Sequence, residues 1–160
     1  MPLFGTLMFV SKLVMEALPN MHLIAVFILL FTIVFRVKAL IAIYTFVFLT
    51  GIYGGFSLWW VPYLYIWTVL WAVAMLLPKN MPKTVATVVY MVVCGLHGLC
   101  YGLLYAPFQA LAFGLDAEGT ITWIIAGLPF DLVHGVSNTL LALLIVPLSI
   151  PLKRAVAKYK

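Results

Sequence analysis

At 160 residues, 66% hydrophobic and 8% charged, the chain is too apolar for a soluble domain, where about a quarter of residues are charged. A soluble core of this size could not hide so much apolar surface, whereas lipid lets apolar side chains face outward. The composition therefore points to an all-α integral membrane protein, with residues 1–160 forming a single transmembrane domain. The net charge of +5 traces the rim of the expected helices and gives nucleic-acid binding no support. Cys94 and Cys100, six apart on one expected helix, read as packing thiols. The apolar N-terminus lacks a basic start and a small-residue cleavage site, so no cleaved signal peptide is expected.

Charges, prolines and glycines divide the chain into six expected spans, each to be measured against the ~20 apolar residues that cross a bilayer. The first runs from about Leu3 to Leu18 and ends at Pro19-Asn20. The second covers about Met21 to Phe35 and ends at Arg36-Val37-Lys38; the third covers Ala39 to Thr50, broken by Gly51, Gly54 and Gly55. The fourth begins near Pro62 and ends at Pro78-Lys79, and the fifth runs from Pro82 to Tyr105. Proline at a first helical turn needs no donor, which suits Pro62 and Pro82. Ala106 to Gly119 reads as a loop. The sixth span, Gly119 to Val146, ends near Pro147 to Pro151. It is either one long helix kinked at Pro129 or a short outer segment followed by a span starting there.

Lys and Arg prefer cytoplasmic loops. With both termini cytoplasmic, Arg36, Lys38, Lys79, Lys83, Lys153, Arg154, Lys158 and Lys160 all fall inside, eight of nine basic residues. The ninth, Lys12, lies within the first helix. The outward loops hold no Lys or Arg, and the last carries Asp116 and Glu118. Five or seven helices would spoil this alternation.

Ionisable groups inside a membrane are costly and mark functional candidates. Lys12 and Glu16 stand four apart on one helical face, either as an intrahelical pair or with Glu16 turned to a ligand. Trp123, Gly127, Asp131, His134 and Asn138 form one stripe of the last helix. That stripe serves interhelical hydrogen bonding, ligand contact, or both. Trp59, Trp60, Tyr63, Tyr65, Trp67, Tyr101, Tyr105, Phe108 and Trp123 gather toward the outer side. An interfacial belt accounts for part of this excess, and an outward-facing aromatic pocket for a flat, partly polar molecule accounts for the rest. Gly98 and Gly102, a GxxxG pair with Gly95 nearby, suit close helix packing. There is no GxSxG, HExxH or phosphate loop, and no cluster with metal-ligand spacing.

Two segments resemble the substrate-binding S-component of energy-coupling factor (ECF) vitamin transporters. Glu16-Ala17-Leu18-Pro19-Asn20-Met21-His22-Leu23 resembles the helix 1–2 junction of one subgroup, and Gly127-Leu128-Pro129-Phe130-Asp131-Leu132-Val133-His134, with Asn138 and Pro147-Leu148, its last helix. The size and the six-helix, both-ends-inside plan match as well. The resemblance implies a multi-pass subunit of a prokaryotic plasma membrane that captures a vitamin or precursor from outside. It implies docking on a membrane coupling protein (the T-component) driven by two cytoplasmic ATPases, with delivery by toppling and no catalysis or cofactor in this chain. Family members offer small residues on helix 1 to the coupling protein. Here Gly5, Phe9 and Ser11 occupy that face, with Phe9 where a small residue is expected.

The resulting expected ligand contacts are Glu16, Asn20, Trp59, Trp60, Tyr63, Trp67, Tyr105, Gln109, Trp123, Asp131, His134 and Asn138. Aromatics would stack on a ring, Asp131 would accept hydrogen bonds or pair with a cation, and His134 and Asn138 would donate and accept. Pyridoxine, a thiamin pyrimidine precursor and a cobalamin fragment suit this set equally. Alternatives are an intramembrane enzyme with Asp131 and His134 as acid–base pair, and a haem- or quinone-associated subunit using His97 or His134.

Overall fold

A backbone in lipid must satisfy its own polar groups, which for these apolar runs means helix. The computed structural model describes residues 1–18 and 20–158. Pro19, expected to end the first helix, and Lys160, counted among the inner basic residues, lie outside the described residues. Among those described there is no strand, and eight α-helices follow one another: α1 (Pro2–Val14), α2 (Ile24–Phe35), α3 (Ala39–Gly54), α4 (Tyr63–Leu76), α5 (Lys83–Leu99), α6 (Tyr101–Phe113), α7 (Ala117–Leu141) and α8 (Ile145–Ala157). Four helical stretches are long and apolar enough to cross a membrane: Ile24–Gly54, Leu58–Leu76, Lys83–Phe113 and Ala117–Ala157. Helix α1 is apolar but shorter, about 20 Å at 1.5 Å per residue.

Side-chain contacts set the helix directions. Phe4, near the start of α1, packs on Phe31 and Phe35 near the end of α2. Between α2 and α3 the chain turns at Arg36, which takes φ 54° and ψ −124°. The Arg36 guanidinium donates to the Met75 carbonyl at 2.7 Å, tying that turn to the end of α4. Gly5 of α1 faces Ala42 and Thr45 of α3, and the Tyr44 hydroxyl of α3 lies 2.9 Å from Thr68 Oγ1 of α4. Helices α5 and α6 then run antiparallel to α7, with Gly98 facing Gly135 and Gly102 facing Asp131. The GxxxG pair is thus used for packing within the chain.

The core is apolar, with Met8, Ile28, Phe46, Trp67 and Ile145 fully buried. Helix α7 shows how the molecule meets its surroundings. Its buried face holds Asp131, His134, Gly135, Ser137 and Asn138, while Leu128, Leu132, Val136 and Leu140 are exposed. Polar inside and apolar outside is the pattern of a helix in lipid.

Several boundaries differ from expectation: α1 ends at Val14, α3 continues through Gly51 to Gly54, and the fifth expected span divides at Cys100 into α5 and α6. Residues 106–113 are helical, because α6 continues through Pro107 to Phe113, and the connection shrinks to Gly114-Leu115-Asp116. Glycine at 114 ends α6 in the left-handed conformation, φ 64° and ψ 34°. Helix α7 runs unbroken through Pro129, so the sixth expected helix is continuous there. Beyond Leu141 a 3-10 turn at Ala142–Leu144 leads into α8, which passes Pro147 and Pro151 and continues to Ala157. Pro147 falls in the first turn of α8, where no amide donor is required.

Candidate functional site

The break between α5 and α6 at Cys100 builds one wall of the site. A helix that starts anew leaves its first amides without partners. One of these, Gly102 N–H, donates to the Asp131 carboxylate of α7, lying 3.1 Å from each oxygen. A Cβ at Gly102 would come within 2.5 Å of Asp131 Oδ2, so only glycine permits this approach. Asp131 is 6% exposed, and its geometry is set by this bond and not by His134.

One turn further along α7, His134 meets rings from two other segments. His22, between α1 and α2, lies edge-on to it at 4.7 Å between centroids, and Tyr101 of α6 tilts against it at 4.9 Å. Trp67 of α4 touches His22, Tyr63, Tyr101 and His97. His97 holds the Ile66 carbonyl at 3.2 Å. His22 and His97, widely spaced in sequence, thus flank Trp67, and His134 packs against His22. Among the described residues His22 Nδ1, His134 Nε2 and Trp67 Nε1 are buried with no hydrogen-bond partner. Burial pushes the His22 imidazole from the ordinary 6.5 down to about 4, with His97 and Lys12 pushing the same way, so His22 is neutral at pH 7.

Two neighbouring cavities open around this cluster. One, of about 250 Å³, is walled by Asn20, Tyr101, Gly102, Tyr105, Trp123, Gly127, Phe130, Asp131 and His134. The other, of about 210 Å³, is walled by Lys12, Met15, Glu16, Leu18, Asn20, Met21, His22, Tyr63, Tyr101 and His134. Asn20, Tyr101 and His134 belong to both, so the two spaces share a wall. Tyr105 and Trp123 stack at 5.8 Å and 26°, while the Tyr105 hydroxyl donates to the Trp59 carbonyl at 2.9 Å. Lys12 Nζ lies 3.8 Å from Glu16 Oε1. The cavities lie at the end of the bundle opposite the Arg36 turn.

Comparison with known protein families, characterised proteins and solved structures finds no match. The site must therefore be interpreted from its own chemistry.

Of the expected contacts, Glu16, Asn20, Tyr63, Tyr105, Trp123, Asp131 and His134 line the two cavities. Trp67 lies just behind them, 1% exposed. Four others stand apart. Trp59 contributes its carbonyl, with its ring against Tyr63. The Trp60 indole packs on Phe56 and donates to the Val47 carbonyl at 2.8 Å, which turns it toward α3. Gln109 is half-buried on α6 and lines neither cavity. Asn138 is fully buried beside Gly98. Tyr101, Gly102, Gly127, Phe130 and His22 join the walls without having been singled out as contacts. For His22 the signal was available, two residues after Asn20 in the same junction. Among the described residues no group of three or more His, Cys, Asp or Glu is placed to hold a metal ion.

Of the three residues assigned to partner docking, Gly5 is buried against α3 and a Cβ there would come within 2.5 Å of the Ala42 carbonyl. Phe9 meets Tyr53 edge-on at 5.8 Å, and the half-buried Ser11 hydroxyl donates to the Met8 carbonyl at 2.7 Å. The face carrying Gly5 and Phe9 is thus in contact with α3.

Proposed function

We propose that this chain captures a vitamin-like small molecule as the S-component of an ECF-type importer. The observation that carries the reading is the larger of the two cavities, where Tyr101, Tyr105, Trp123 and Phe130 surround two buried polar groups, Asp131 and His134. Small-molecule sites have this make-up: mostly apolar, with few polar anchors. The chain crosses the membrane six times in this reading, because the turn at Arg36 divides Ile24–Gly54 into two antiparallel passes. The basic loops around Arg36 and Lys79 are cytoplasmic, which turns the cavities toward the outside of a prokaryotic cell. A coupling protein and two ATPases supply transport energy. With Gly5 and Phe9 against α3, such a partner would meet the exposed side of α1, where Leu3, Leu7 and Val10 lie.

Nothing in the site favours the alternatives. Asp131 takes its hydrogen bond from Gly102, and no contact between Asp131 and His134 supports the acid–base reading.

The test is to purify the protein in mild detergent from cells grown in vitamin-rich medium, denature it, and identify released molecules by mass spectrometry. A stoichiometric small organic molecule, lost in Asp131→Ala/His134→Ala, is the expected result. A porphyrin or quinone would replace the reading with an electron-transfer role, and retention of the molecule by the double variant would remove the proposed anchor.

A further inference from the structure

We infer that the larger cavity selects an organic cation: a single aromatic ring bearing a protonated amine or amidine, with the ring on Tyr105 and Trp123 and the cation at Asp131. The inference rests on the ligand-binding reading above and names the class of ligand. Its first support is charge. Among the described residues the sole acid–base ion pair is Lys12–Glu16, so the lining charges sum to one uncompensated carboxylate, Asp131. A single backbone amide, Gly102 N–H, faces its two oxygens, which leaves acceptor capacity on both. A carboxylate held in a low-dielectric interior calls for an opposite charge.

The second support is spacing. Trp123, Gly127 and Asp131 follow at intervals of four along the unbroken α7, about 6 Å per step. A Cβ added at Gly127 would meet nothing within 4 Å, so the floor between the indole and the carboxylate is open backbone. A ring resting on the Tyr105–Trp123 stack and extending over Gly127 brings an exocyclic nitrogen to Asp131. The aromatic faces favour a cation nearby. His134, 5% exposed with Nε2 unpartnered, adds a polar contact on the same wall. A volume of about 250 Å³ lies just below the range of drug-sized sites; it suits one ring with its substituents and is too small for a corrinoid.

The test uses three one-ring probes of nearly equal shape, benzylamine, benzyl alcohol and benzoate, with full-length protein in mild detergent and equilibrium dialysis as readout. Gly127→Leu adds bulk to the open floor from a position where a Cβ meets nothing within 4 Å, so subtracting its signal removes partition into detergent. Benzylamine is expected to bind about tenfold or more tighter than benzyl alcohol, the scale of a hydrogen bond to a charged group, with benzoate weakest. Asp131→Asn, which keeps an acceptor for Gly102, is expected to erase the preference for benzylamine while benzyl alcohol still binds. Benzyl alcohol or benzoate binding as well as benzylamine in the wild type would overturn the cation assignment and leave the binding reading standing. No difference between wild type and Gly127→Leu for any probe would overturn both. If Asp131→Asn fails to fold, the wild-type ranking of the three probes decides by itself.

Discussion

The Asp131 carboxylate accepts the Gly102 amide of α6 at 3.1 Å, so a side chain on α7 satisfies the first turn of a helix that begins anew at Cys100. Replacing Asp131 by Leu leaves that buried amide without a partner, a loss of about 1–3 kcal/mol. Asparagine keeps an acceptor oxygen and should cost clearly less. Thermal unfolding of the two variants in the same detergent checks the order; equal stability would show that the bond does not hold α6 to α7.

Glycine has opposite meanings at two positions. A Cβ at Gly98 would lie 2.8 Å from both the Gly135 Cα and the His134 carbonyl oxygen, backbone that cannot move aside. At Gly127 it would meet open space. Gly98→Ala should therefore destabilise by about 1–3 kcal/mol through overpacking. Gly127→Ala should be neutral or stabilising by up to about 1 kcal/mol from helix propensity. Melting temperatures of the pair test this, and a Gly98→Ala variant as stable as wild type would contradict the close α5–α7 approach.

Acid should weaken the fold through His22. Burial lowers its folded-state value to about 4, so between pH 6.5 and 4 the unfolded chain binds the extra proton. Stability is then fully present above pH 6.5, falls as the pH is lowered through that window, and stops falling on this account below about 4. His22→Gln should flatten the slope between pH 6.5 and 4, as read by chemical unfolding at a series of pH values. An unchanged slope would assign the acid sensitivity elsewhere.

The proposed orientation can be read with single cysteines on a Cys94→Ala/Cys100→Ala background. Glu118→Cys should react with a membrane-impermeant maleimide on intact cells, and Lys79→Cys only in inverted vesicles. The reverse pattern would turn the cavities toward the cytoplasm and end the uptake reading.

Much of the site was legible in advance because the residues that line it are periodic on one element. The stripe from Trp123 to His134 needs only a helix to align it, and α7 is one. Trp60 was misdirected for the same kind of reason. Its position in the outer loop was evident, but the Val47 carbonyl that captures its indole is thirteen residues away and leaves no mark in local pattern. Prolines at 107 and 151 read as breaks, yet the helices pass through them, because in lipid an interrupted helix would leave backbone groups unpaired.

The amino-acid sequence by itself determined the helical class and the apolar stretches long enough to cross a membrane, since each follows from composition and short-range spacing. Tertiary structure alone decided that His22 and His97 flank Trp67 with His134 against His22, that Gly102 lies against Asp131, and that Gly5 is used against α3. These are contacts between segments 29 to more than 100 residues apart in the chain, and the physical cause is packing: which helices touch is settled by how their surfaces fit together.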